Sequence, residues 1–149
     1  MSEGNKNILD DSVLRVTVRD VMKNKFDLVS SKATVREALN TMRHVETKCL
    51  IVDKYDDGDE YGIVVIADIA KQVLAKNRCA DRMSIYEIMT KPAITVHPDM
   101  DIRHASRLFA QVGLTRAPVV DAATREVIGI VSYTDMVMNG LLRLEESCH

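Results

Sequence analysis

The chain repeats itself, and this duplication constrains its fold more than any other feature of the sequence. A shift of 67 residues places Met22 on Met89. Other matched pairs keep their order along both copies: Val29 with Val96, Arg36 with Arg103, Ala38 with Ala105, Gly62 with Gly129, Asp68 with Asp135 and Leu74 with Leu141. Two copies with a period longer than common solenoid repeats predict two related halves that share a core.

Each copy predicts the same order of elements, β-α-β-β-α, behind a short lead-in helix. Capping patterns begin the lead-in helices at Thr17 and Ser84, and Thr34 begins the first amphipathic helix, while Gly113 ends the second. The predicted strands lie at residues 28–29, 49–52 and 61–65 of the first copy and at 94–96, 117–120 and 127–131 of the second. The closing helices are predicted at 68–76 and 135–143. The predicted fold class is therefore α/β (α+β), with a flexible segment at 1–13 and repeats at 14–80 and 81–149.

Charge and composition argue against several classes of protein. Lys and Arg number 20 against 22 Asp and Glu, so no strong basic field attracts nucleic acid or an anionic membrane. No apolar run approaches the roughly 18 residues of a membrane span. The first residues hold no apolar core typical of a secretory signal, so we expect a cytoplasmic protein. The 3 cysteines (Cys49, Cys79 and Cys148) are widely spaced and predict free thiols, without a disulfide or zinc framework.

The junction from the last strand to the closing helix of the second copy carries residues suited to binding a nucleotide. It reads Gly129-Ile-Val-Ser-Tyr-Thr-Asp135. A helix N-terminus attracts anions, and a carboxylate beside it can accept hydrogen bonds from vicinal sugar hydroxyls. The alternative stays open, because Ser132 and Asp135 also have the spacing of a helix capping box.

The whole pattern resembles a tandem pair of cystathionine β-synthase (CBS) domains over about residues 14–144. The resemblance rests on the ordered motifs Val18-Arg-Asp-Val-Met22, Ile85-Tyr-Glu-Ile-Met-Thr90, Arg116-Ala-Pro-Val-Val-Asp121 and Gly129–Asp135. It implies a pseudo-two-fold pair of repeats with two clefts between them, commonly occupied by AMP, ADP, ATP or another adenosyl ligand. Such modules usually sense a ligand or regulate a partner, so the resemblance implies no enzymatic activity and no catalytic cofactor.

The resemblance also implies the residues of a main cleft. Asp135 would bind the ribose hydroxyls, Ser132 with Thr134 would contact phosphate, and Ile130 would line the base pocket. The further residues of the main cleft would be Phe26, Asp27, Leu28, Thr47, Thr115 and Arg116. A guanidinium such as that of Arg116 can neutralise phosphate bidentately, although a solvated surface arginine is an equal alternative.

The first copy departs from the pattern and predicts a second, weaker cleft. The stretch Gly62-Ile-Val-Val-Ile-Ala-Asp68 keeps the glycine and the aspartate, but Val65 stands where the hydroxyl is expected. A missing hydrogen bond to a charged group costs about 1.5–3 kcal/mol, so we expect about tenfold weaker binding there or a preference for uncharged adenosyl ligands. The residues of this cleft would be Lys48, Ile63, Asp68, Thr90, Ala93 and Ile94.

Other functional hypotheses have less support. His97 and His104 lie seven residues apart without a metal-binding motif, so no metal site is predicted. The sequence contains no nucleophile elbow or phosphate-binding glycine-lysine loop.

Apolar residues of the two closing helices predict a homodimer. Two alternatives remain: a ligand-free structural dimerisation module, and a redox- or metal-responsive module that uses Cys49, Cys79 or His104.

Overall fold

The computed structural model describes residues 15–147, which form two compact units. The central unit is Asn24–Ile94. The terminal unit joins residues 15–23 to residues 95–147. The predicted flexible segment 1–13 and Cys148 lie outside the described residues.

Along the chain, the helices and strands follow the order that the two-copy pattern predicts, except that the described residues of the second copy lack its first strand. In chain order they are α1 Val18–Val21, β1 Leu28–Val29, α2 Val35–Asn40, β2 Cys49–Val52, β3 Gly62–Val65, α3 Ile66–Ile69, α4 Ile102–Val112, β4 Arg116–Val120, β5 Val127–Ser132, α5 Tyr133–Met136 and α6 Leu142–Ser147. Single 3-10 turns lie at Val45–Thr47 and Ile85–Glu87, and π-helical turns lie at Ala70–Leu74 and Val137–Leu141.

The central unit is built on a three-stranded sheet in the order β1-β2-β3. The pair β1–β2 is parallel and β2–β3 is antiparallel. All four residues of β2 are buried because the strand lies in the middle of the sheet, which explains its continuous apolar run. The Thr34 hydroxyl caps α2 by accepting the Glu37 N–H at 3.1 Å, as the sequence predicts.

The terminal unit contains the antiparallel pair β4–β5, with a register shift at Val119/Val120. Its core centres on Phe109 of α4, which lies in one cluster with Val119 and Val131 of the strands. Gly113 ends α4 with a φ of 74°, a left-handed conformation that glycine adopts without strain. The helical spacing of Ile102, Ala105 and Phe109 predicts their burial correctly, whereas Val112, at the same spacing, is exposed.

The lead-in segments pack in exchanged positions. The segment before Lys23 belongs to the terminal unit, where Val18 N–H bonds Met100 O at 2.8 Å. The segment from Met83 belongs to the central unit, where Val35 N–H bonds Met83 O at 2.8 Å. The compact units thus divide the chain differently from the repeat bounds 14–80 and 81–149, which follow sequence similarity and stay a prediction.

The structure confirms the α+β class and corrects two elements. The strand predicted at 94–96 is a single parallel bridge from Val96 to Val119, because Pro98 follows and has no N–H to continue a ladder. The closing helices begin at Ile66 and Tyr133, before the predicted Asp68 and Asp135, and each contains a π-helical turn.

Acid is expected to destabilise the fold through Asp59, which lies in the acidic loop before β3. The Asp59 carboxylate pairs with the Lys91 ammonium and accepts the Tyr55 N–H at 2.7 Å. These bonds, led by the one to Lys91, lower the pKa of Asp59 from 3.8 to about 2. A carboxyl with a lowered folded-state pKa stabilises the fold above its unfolded pKa, and this stabilisation is lost as the pH falls toward about 2. We therefore expect Asp59→Asn to reduce the pH dependence of the free energy of unfolding in urea between about pH 4 and pH 2. A dependence in Asp59→Asn as steep as that of the wild type would contradict this.

Candidate functional site

The two strand-to-helix junctions are built alike. In the central unit β3 runs into α3, which carries Asp68, and in the terminal unit β5 runs into α5, which carries Asp135. A lead-in residue pairs with each strand through two backbone hydrogen bonds: Thr90 with Ile63 at 3.0 and 2.9 Å, and Lys23 with Ile130 at 2.8 and 2.8 Å. The duplication therefore extends to the backbone contacts around both carboxylates.

Glycine at each junction lets the lead-in backbone approach the strand closely. A Cβ at Gly129 would lie 2.6 Å from Lys23 O, and one at Gly62 would lie 3.2 Å from Thr90 O. The approach is tighter in the terminal unit, where any side chain at position 129 meets backbone.

Asp135 is buried and fully engaged within its own unit. It is 2% exposed. Its Oδ2 accepts the Ser132 N–H at 3.0 Å and the Ser132 hydroxyl at 2.9 Å, while Ser132 Oγ accepts the Asp135 N–H at 3.2 Å. Its Oδ1 forms an ion pair with the Lys23 ammonium. The capping box, which the sequence predicts as the alternative to a ligand site, is present. A ligand at this carboxylate would have to displace a protein group.

Asp68 has a different environment at the equivalent position. Its side chain is half-buried, and within residues 15–147 the structure gives its carboxylate no hydrogen bond or ion pair. Two sequence differences explain this contrast. Val65 replaces the serine hydroxyl, so no capping box forms, and the short Thr90 replaces Lys23.

The other predicted residues of the terminal unit lie in the hairpin β4–β5, immediately before it, or at the start of α5. Arg116 lies opposite Ser132 in the β4–β5 ladder, and Thr115 O accepts the Tyr133 N–H at 3.0 Å at the start of α5. Ile130 is buried and Thr134 is exposed. The structure therefore brings the predicted Thr115, Arg116, Ile130, Ser132, Thr134 and Asp135 to one end of one hairpin.

The residues predicted to complete the main cleft belong to the central unit. The Asp27 carboxylate accepts the Arg43 and His44 N–H groups, each at 2.8 Å, and the Thr47 hydroxyl donates to His44 O at 2.8 Å. These two side chains hold the turn after α2. Phe26 is half-buried and Leu28 is exposed. A cleft shared by both units stays a prediction.

All of the residues predicted for the weaker cleft belong to the central unit. Lys48 has a left-handed conformation with a φ of 59°, and its backbone carbonyl accepts the Ile66 N–H at 2.9 Å at the start of α3. Ala93 N–H donates to Tyr61 O at 2.8 Å, next to the pairing of Ile63 with Thr90. Ile94 is exposed.

Sequence reasoning missed Lys23 as part of the site. The available signal was a change within the duplication, since Lys23 falls on Thr90 under the same shift that matches Asp68 with Asp135. Such a change became meaningful only when the structure placed both residues beside the junction carboxylates.

The described chain offers no other obvious chemical centre. Among residues 15–147, no group of three or more His, Cys, Asp or Glu side chains is arranged to hold a metal ion. Cys49 is buried and Cys79 is exposed, and neither forms a disulfide within residues 15–147. None of the helices described reaches the length and apolarity needed to cross a membrane.

Comparison with known proteins places these features in one family. The sequence profile of the CBS domain matches residues 18–75 and 85–140. A hexameric CBS-CP12 protein from bloom-forming cyanobacteria has a similar structure, with 32% identity, a TM-score of 0.78, and coverage of 84% of this chain and 71% of that one. A CBS domain pair solved in complex with 5′-methylthioadenosine and S-adenosyl-L-methionine is 28% identical with a TM-score of 0.67, over 91% of this chain and 99% of that one.

Several curated relatives are longer than this chain. An uncharacterized protein of Methanopyrus kandleri is 29% identical over 85% of this chain, which spans 61% of that relative. Relatives with enzyme names are matched over a small part only, as in a homoserine O-acetyltransferase of Methanosarcina acetivorans, 33% identical over 89% of this chain but 23% of its own length.

Proposed function

Because this chain belongs to the CBS domain family and carries two copies of the domain, we propose that it is a cytoplasmic regulatory module that binds an adenosyl ligand. AMP, ADP, ATP and uncharged adenosyl compounds are the candidate ligands. Binding passes information to a partner by favouring one of two arrangements of the protein, and the module itself performs no catalysis.

The observation that carries this proposal is the pair of junction carboxylates, above all Asp68. A half-buried carboxylate without a protein donor among residues 15–147 can accept two hydrogen bonds from vicinal ribose hydroxyls. The absence of a hydroxyl at Val65 favours a ligand without phosphate at this junction. The neighbour in complex with 5′-methylthioadenosine and S-adenosyl-L-methionine supports an adenosyl group as the common part of the ligand.

The two junctions are proposed to differ in the order of binding. The sequence predicts Asp135 as the stronger site, but its carboxylate already has three donors, so we propose that Asp68 binds first. Asp135, with Ser132 and Arg116 beside it, is the proposed second site.

Replacing Asp68 is expected to remove most of the binding. Asp68→Asn keeps the shape but loses the charge, and hydrogen bonds to a charged acceptor contribute about 1.5–3 kcal/mol, so affinity falls at least about tenfold. Isothermal titration calorimetry with 5′-methylthioadenosine, S-adenosyl-L-methionine, AMP and ATP measures this. Asp57→Asn, in the exposed loop of the same unit, is the matched control and keeps wild-type affinity. Wild-type protein that binds none of the four compounds would refute the proposed function.

Self-association is part of the proposal. The closing segment of the terminal unit exposes Val137, Met138, Leu141 and Leu142. Contiguous exposed apolar side chains mark protein interfaces, and the hexameric neighbour shows that related chains assemble. We propose a homodimer as the unit that binds ligand, and sedimentation equilibrium at the calorimetry concentration gives its mass.

A further inference from the structure

We propose that Lys23 is an internal competitor of the ligand at the Asp135 junction. The Lys23 ammonium is paired with the carboxylate that would accept hydrogen bonds from the ribose hydroxyls. An uncharged nucleoside can therefore bind at this junction only when the ion pair between Lys23 and Asp135 breaks. The inference rests on the proposed function, in which Asp68 and Asp135 are the two ribose-binding carboxylates.

The backbone holds Lys23 in the position from which it reaches Asp135. Its N–H and C=O both pair with Ile130 at 2.8 Å, and Gly129 lets this segment lie directly against β5. The side chain alone can therefore move while the residue stays in place.

Both oxygens of Asp135 are used in this arrangement. Oδ2 accepts the two donors of Ser132, and Oδ1 pairs with Lys23. The Asp135 side chain is 3% exposed and that of Lys23 is 35% exposed, so the lysine is the member of the pair that reaches solvent. An incoming hydroxyl pair has to take the place of the ammonium at Oδ1.

The central unit shows the same junction without the competitor. Thr90 has the same two backbone bonds to Ile63 that Lys23 has to Ile130. The side chain of Thr90 is short and uncharged, so it brings no counter-charge to Asp68. The Asp68 carboxylate has no partner among residues 15–147. The duplication thus provides an internal comparison in which a threonine or a lysine stands at one position beside the same carboxylate.

Charge decides the direction of the effect. Exchanging an ammonium for neutral hydroxyls leaves a buried carboxylate without its counter-charge, which is unfavourable. We therefore expect a ligand without phosphate to bind the Asp135 junction at least about tenfold more weakly than the Asp68 junction.

The test gives each position the residue of its counterpart, in two separate variants, Lys23→Thr and Thr90→Lys. The probe is 5′-methylthioadenosine, which carries no phosphate. Isothermal titration calorimetry of the wild type is expected to show one site per chain. Lys23→Thr is expected to show two sites, with affinity at the Asp135 junction raised at least about tenfold. Lys25→Thr makes the same change at an exposed lysine and is expected to keep one site.

The reciprocal variant keeps the inference falsifiable if Lys23→Thr does not fold. Thr90→Lys is expected to bring an ammonium to Asp68 and to lower the affinity of the wild-type site at least about tenfold. Unchanged binding in Thr90→Lys would overturn the inference.

Other outcomes separate this inference from the proposed function. Two equal sites in the wild type, or one unchanged or weakened site in Lys23→Thr, would overturn the competitor role and leave adenosyl binding intact. If the wild type, Lys23→Thr and Thr90→Lys all failed to bind the probe, the proposed function and the role of Lys23 would both be overturned.

Discussion

Replacing Phe109 by alanine is expected to lower the free energy of unfolding by about 3–5 kcal/mol, the usual cost of removing a buried aromatic ring. The ring is 0% exposed and lies in the core of the terminal unit with Val119 and Val131. It also contacts Tyr133 edge to face, with 5.3 Å between the ring centroids. Tyr133 begins α5, so the cavity would open directly beneath the junction that carries Asp135.

Urea unfolding followed by circular dichroism measures this loss. Val112→Ala is the control on the same helix, because Val112 is 46% exposed and its truncation is expected to cost at most about 0.5 kcal/mol. Equal destabilisation by the two substitutions would contradict the placement of the core.

The Gly129→Ala variant is expected to lose about 1–3 kcal/mol of stability, because the added methyl group has no room. It would lie 2.6 Å from Lys23 O and 2.8 Å from Met22 Sδ. The carbonyl cannot retreat freely, since it accepts the Ile130 N–H at 2.8 Å. Relief of the clash would break the backbone pairing that positions Lys23 beside Asp135.

Gly62→Ala is the matched control in the other copy. Its methyl group would lie 3.2 Å from Thr90 O, a contact that a shift of a few tenths of an ångström relieves. Alanine also restricts the unfolded chain, which favours folding by about 0.4–1 kcal/mol, so we expect little net change. Comparable urea midpoints for the two glycine variants would show that the terminal junction is not the tighter one.

Much of the fold can be predicted from local spacing. The caps at Thr34 and Gly113, the hairpin strands of both copies and the buried face of α4 depend on residues within a few positions of one another. The predictions of a strand at 94–96 and of closing helices that begin at Asp68 and Asp135 were wrong. Pro98 has no N–H to extend the pairing of Val96, and the capping box between Ser132 and Asp135 begins α5 two residues before the predicted start.

The candidate site divides in a similar way. The duplication identifies Asp68 and Asp135 as equivalent carboxylates, and the family resemblance supplies their expected ligand. The ion pair between Asp135 and Lys23 could not be predicted from the sequence, because the two residues are 112 positions apart along the chain. The same is true of Asp27 and Thr47, whose polar groups hold a turn.

The sequence by itself determined that the chain is duplicated and that each copy has a glycine-to-aspartate junction where its last strand meets its closing helix. Only the tertiary structure decided that each lead-in segment packs in the unit formed mainly by the other copy, and that one aspartate is neutralised while the other is available. The physical reason is range. Caps and periodicity act over a few residues, whereas an ion pair depends on the path of the chain and on burial, which decide whether a charge finds a counter-charge or a ligand.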